Sequence, residues 1–141
     1  MKMNINKLII AVDRIHASKL DGYKKIGVTR VNVSNSIGWK NIPVKVPARL
    51  NISYKSVDGV RLCTAKLVFH TCEEIVDFER QVYRCKTAEG FYMLIGSDTR
   101  PYPITTVNDT HPDNMTDSQL SEVSVDYTTP THIPYIIYNN V

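Results

Sequence analysis

Apolar and polar residues alternate with a period of two along most of this chain, the pattern of strands with one face turned inward. The sharpest case follows Arg49, where Leu50, Ile52 and Tyr54 share one face and Asn51, Ser53 and Lys55 the other. Ser56-Val57-Asp58-Gly59 comes next, and Asp-Gly is the preferred central pair of a type I′ hairpin turn. Val60, Leu62, Thr64, Lys66 and then Leu67-Val68-Phe69 read as the return strand, with a bulge where the alternation shifts. A second hairpin is expected from residues 82–86, a turn at Ala88-Glu89-Gly90, and residues 91–95. Further strands are expected from Ile104 and Thr106, and at 120–128, where Val123, Val125 and Tyr127 alternate with Ser124 and Asp126.

The two ends and two interior stretches depart from that pattern. Residues 1–15 read as an N-terminal strand or arm, and the apolar, proline-interrupted 131–141 as a C-terminal edge strand or arm. Pro43 and Pro47, four residues apart, cannot both sit in a central ladder, so 42–47 is expected to be an edge strand or an extended crossover. Thr71-Cys72-Glu73-Glu74 matches a capping box, with Ile75, Phe78 and Val82 at helical spacing behind it. The spacing predicts the one short helix of the chain near 72–81. At 141 residues the expectation is one mainly β domain, a single sandwich or barrel with that helix and extended termini.

Charge adds a strong asymmetry. Residues 1–60 hold 11 Lys/Arg against 3 Asp/Glu, a net of +8, whereas residues 61–141 hold 6 against 11, a net of −5. No lysine or arginine follows Arg100. A body with a positive and a negative part can pair with copies of itself, and head-to-tail pairing builds rings or filaments. The residues expected to meet are Lys24, Lys25, Arg30 and Lys40 with Asp109, Asp113, Asp117 and Glu122. Exposed ion pairs contribute only about 0–1 kcal/mol each, so they select orientation while Trp39, Tyr135 and Tyr138 supply buried area. Eight tyrosines suit such a surface.

Candidate chemistry is sparse. Cys63, Cys72 and Cys85 are an odd set without a C-x₂-C pair, and reduced thiols, at least two of them buried, are expected. His70, Cys72 and Glu74 straddle a strand-to-helix junction, where their directions diverge. Asp109, His111, Asp113 and Asp117 offer oxygen ligands, but their loop lacks the glycine of a calcium-binding EF-hand and has Leu120 where its glutamate belongs. No phosphate-binding glycine motif and no nucleophile elbow occurs. Neither catalysis nor a metal or other cofactor is expected. The basic stretch from Lys19 to Arg49, interleaved with Tyr23 and Trp39, allows a nucleic-acid-binding alternative, although the isoelectric point of about 8.7 is below that of a dedicated binder. A monomeric β-sandwich module with an aromatic groove around Trp39, taking protein or carbohydrate, is the other alternative. The apolar run at 8–12 is too short for a signal-peptide core or a membrane helix, so the sequons at Asn32, Asn51, Asn108 and Asn114 read as chance matches in a cytoplasmic setting.

From Phe78 onward the chain resembles the small virion proteins that build the neck and tail of tailed bacteriophages. The resemblance rests on the hairpin at 82–95, on Ile95-Gly-Ser-Asp-Thr-Arg-Pro-Tyr-Pro-Ile104, and on Val123-Ser-Val-Asp-Tyr127. It implies a β-barrel or sandwich with long loops and extended ends, acting as a ring or connector subunit. Its partners would be copies of itself and other virion proteins, assembled in the host cytoplasm. No catalytic residues come with it.

Overall fold

A computed structural model of the chain describes residues 3–20, 23–26, 29–33, 38–72, 80–99, 101–109 and 121–138. Among these residues the fold is mainly β, with eleven strands in one sheet and a single 3₁₀ turn at Ala17–Lys19. Its spine is β1 (Met3–His16), which spans two pairing environments. Up to Ile9 it pairs with β5 (Ala48–Val57); from Ile9 onward it pairs with β7 (Gln81–Thr87), with a register shift between Ile9 and Ala11. Short β4 (Lys40–Ile42) pairs with Val12–Arg14 of β1.

Two wings extend from this spine. One continues from β5 through β6 (Val60–Thr71) and β10 (Ser121–Thr129) to β9 (Ile104–Asp109), all antiparallel. The other continues from β7 through β8 (Tyr92–Ile95), β11 (Tyr135–Tyr138) and β3 (Arg30–Val33) to β2 (Lys24–Ile26). Here β11 runs antiparallel to β8 and parallel to β3. The sheet does not close, and β2 and β9 are its two end strands.

The wings face one another like the layers of a sandwich. Leu50, Ile52, Leu67, Phe69, Val123 and Val125 from the first wing share a core with Tyr83, Cys85, Met93 and Ile95 from the second. The Tyr83 hydroxyl lies 2.6 Å from the Thr105 hydroxyl, a hydrogen bond that ties β7 to β9 across the gap. Burying an aliphatic or phenylalanine side chain of this kind stabilises by about 1.5–3 kcal/mol. The second wing also buries its outer face, where Ile15, Val31, Val33, Val82 and Leu94 pack with Tyr23, Trp39 and Tyr102. Alternation along β7 therefore feeds two cores, Tyr83 and Cys85 into one and Val82 into the other.

Both expected hairpins form. Asp58 and Gly59 have φ of 51° and 79°, as a type I′ turn requires, and they join Val57 to Val60 in register. Gly90, at φ 98°, turns the chain from β7 into β8. The strands expected at 104–108 and 120–128 are β9 and β10. The proline segment crosses over as expected: after β4 the Lys45 amide donates to the His70 carbonyl at 2.8 Å, and the Thr71 hydroxyl donates to the Pro43 carbonyl at 2.5 Å.

Two expectations change. The bulge in β6 is absent, since its pairing with β5 and β10 runs without a shift. Cys63, Ala65, Leu67 and Phe69 face inward, and Val60 and Lys66 face outward. The C-terminal strand is not an edge or arm: β11 lies between β8 and β3, with the Leu94 amide donating to the Pro134 carbonyl at 3.0 Å. The predicted helix falls mainly on 73–79, outside the described residues, while Gln81 opens β7.

Candidate functional site

The most highly organised polar cluster surrounds Arg84. Asp13 of β1 is register partner to both Asn41 of β4 and Arg84 of β7, so the three side chains form a row across three strands. Arg84 donates from Nε to Asp13 Oδ2 at 2.8 Å and also from Nη2, and Asn41 donates to Asp13 Oδ1 at 3.0 Å. The guanidinium lies 4.9 Å from the centre of the Trp39 ring and 4.6 Å from that of Tyr92. A cation against two aromatic faces and a buried carboxylate is held rather than offered. Trp39 is consequently half-buried against the second core.

Of the other residues expected at an interface, the β2–β3 cations and the described acids lie at opposite ends of the strand order. Lys24 and Lys25 are exposed on end strand β2, and Arg30 is exposed on its neighbour β3. Lys40 is exposed on β4, beyond β1 from that hairpin. Asp109 closes the opposite end strand β9, beside Ser121 of β10, and Glu122 follows on β10 with an oxygen 4.0 Å from His70 Nε2. Each end strand also exposes an isoleucine, Ile26 at 45% and Ile104 at 68%. Tyr135 packs edge-on to Phe91, with ring centres 5.9 Å apart. Tyr138 ends β11. Asp113 and Asp117 lie outside the described residues, as does His111 of the same loop.

A cleft of about 590 Å³ opens between strands β2 and β3, residues 96–99 with Pro101, and the segment 127–134. Lys25 and Arg30 line it with Tyr23 and Tyr127, and hydroxyls come from Ser97, Thr99, Thr129 and Thr131. Ser97 Oγ donates to the Thr99 carbonyl at 2.8 Å, and the Thr129 and Thr131 hydroxyls lie 2.9 Å apart. His132, also in the lining, has Nδ1 3.2 Å from the Tyr54 hydroxyl. Burial, reinforced by Tyr127 and Asp98, pushes the Tyr23 phenol up to about 12, so it remains a neutral hydrogen-bonding group at neutral pH. Sequence reasoning reached Lys25 and Arg30 but not the hydroxyls. Their trace in the chain is two proline-flanked runs, Ser97-Asp-Thr-Arg-Pro101 and Thr128-Thr-Pro-Thr-His132.

All three cysteines are free thiols, Cys63 and Cys85 buried and Cys72 exposed. Among the described residues no group of three His, Cys, Asp or Glu side chains could hold a metal ion. No helix among them is long and apolar enough to cross a membrane. No protein-family model matches the chain, and no curated protein or solved structure matches it.

Proposed function

We propose that this protein is a structural subunit that builds a larger assembly through contacts between its own copies, in the manner of phage neck and tail ring proteins. One observation carries the reading: the open sheet ends in a basic strand, β2, and at its other end in β9, which closes on Asp109 and has Glu122 of β10 opposite its Asn108. End strands present unpaired backbone groups, and a neighbour's strand can satisfy them. Opposite charge at the two ends favours β2 of one copy beside β9 of the next over like ends meeting. Ile26 and Ile104 add apolar area to that contact. Such a contact is heterologous, and repetition of it gives a ring or a filament. Other virion proteins and a virion location belong to the same proposal.

Light scattering on the purified chain tests it across concentration and salt. The expected result is species larger than the 16.0 kDa chain at low salt, reverting toward monomer as salt screens the ends. A 16.0 kDa species at every concentration and salt overturns it.

A further inference from the structure

We propose that the cleft between the β2–β3 hairpin and the segment 127–134 binds a small acidic sugar, an oxyanion carried on a hydroxylated ring. Its volume of about 590 Å³ falls in the range of small-molecule sites and exceeds the needs of a lone inorganic anion. The lining decides the chemistry. Lys25 and Arg30 are donors only, and among the described residues neither has an ion-pair partner. Among the described residues no carboxylate or side-chain amide belongs to that lining, and Asp98 enters its electrostatics through Tyr23. A ligand there must therefore bring acceptors of its own, and an oxyanion brings the strongest.

The remaining groups suit a ring bearing hydroxyls. Thr129 and Thr131 are mutually hydrogen-bonded and Ser97 is fixed on the Thr99 carbonyl, so these hydroxyls are positioned before a ligand arrives. Tyr54 engages His132 through Nδ1, which leaves Nε2 as the ring's other polar atom. Pro101, Pro130 and Pro134 stiffen the walls and offer apolar surface to the C–H faces of a sugar. The site shares Lys25 of β2 and Arg30 of β3 with the basic end of the sheet, so assembly is read alongside ligand binding.

The oxyanion has two sources, a sugar carboxylate such as a glycan terminus carries, and a sugar phosphate. Calorimetric titration of the full chain with glucuronic acid, glucose 6-phosphate, glucose and inorganic phosphate separates them. One acidic sugar is expected to bind at least about tenfold more tightly than glucose and than phosphate. The tighter of the two identifies the source, and either supports the site. The double variant Lys25→Gln/Arg30→Gln, both at exposed positions, is expected to weaken that binding by about tenfold or more with an unchanged circular dichroism spectrum. Amide resonances of Ser97, Thr99, Thr129 and Thr131 are expected to shift on saturation. Absence of binding by either acidic sugar overturns the proposal. So does glucose or phosphate matching the acids, full affinity in the double variant, or shifts confined to other residues. Mass measured on the same samples reads assembly separately from ligand binding.

Discussion

At the scale of single residues, the best-defined balance is the one around Arg84. Asp13 is only 6% exposed, and its charge is tolerated because Arg84 and Asn41 satisfy both carboxylate oxygens. Arg84→Ala leaves that charge unpaired, and a loss of about 3–5 kcal/mol is expected in urea unfolding. Arg84→Lys is expected to recover little, because a lysine lacks the planar fork that meets Asp13 while lying against Trp39 and Tyr92. The thiols give a second check. Cys72 is expected to react at once with a disulfide reagent, and Cys63 and Cys85 only on unfolding. Full burial pushes the Cys85 thiol from 9.0 up to about 12, and Tyr23 moves from 10.0 to about 12. Both groups hold their protons more tightly when folded, so their contribution to stability is complete below about pH 9 and is lost as pH rises toward 12. Melting temperatures are therefore expected to fall across that alkaline window, less steeply in Tyr23→Phe, which removes one of the two groups.

At the scale of elements, turns decide where strands meet. Gly96 has φ of 116°, and a Cβ there would lie 3.0 Å from Pro103 Cγ and 3.2 Å from Val82 Cγ2. Gly96→Ala combines backbone strain with a contact against a rigid ring, and a loss of about 1–3 kcal/mol is expected in the same unfolding assay. A result within error of the parent protein would show that the β8 exit relaxes freely. The hairpins were legible in the sequence because Asp58-Gly59 and Gly90 admit backbone that other residues resist. The inner face of β6 was misread, although the same turn contains the answer. With Val57 opposite Val60, Leu50 must face Leu67 and Ile52 must face Ala65. Apolar Val60 and Leu62 outweighed small Cys63 and Ala65 in the local pattern, but register is inherited from the turn. The cleft was illegible for another reason. It exists only because β11 inserts between β8 and β3, partly in parallel, and no local pattern encodes a pairing between Tyr135 and Arg30, so distant in the chain.

At the scale of the whole molecule, the charge asymmetry follows the strand order. The basic hairpin and the Asp109–Glu122 corner occupy opposite ends of the strand order rather than neutralising each other by strand pairing. A charge exchange tests whether those ends meet in different copies. Lys24→Glu places acid on β2, and Glu122→Lys places base beside β9; both side chains are at positions open to solvent, so neither change is expected to disturb folding. Each variant alone is expected to self-associate less than the parent protein at low salt, because like charges then oppose across every contact. In a mixture, the altered β2 of one variant can face the altered β10 end of the other, and association is expected to recover in part. Strict alternation makes every contact complementary, since the unaltered Lys24 and Glu122 meet in the next contact, and recovery falls short only where like variants meet in a random mixture. High salt is expected to flatten the differences among all samples, since exposed pairs of this kind act through a screened field. Equal masses for parent, single variants and mixture at low salt would mean that these ends do not meet, whatever other surface the protein uses.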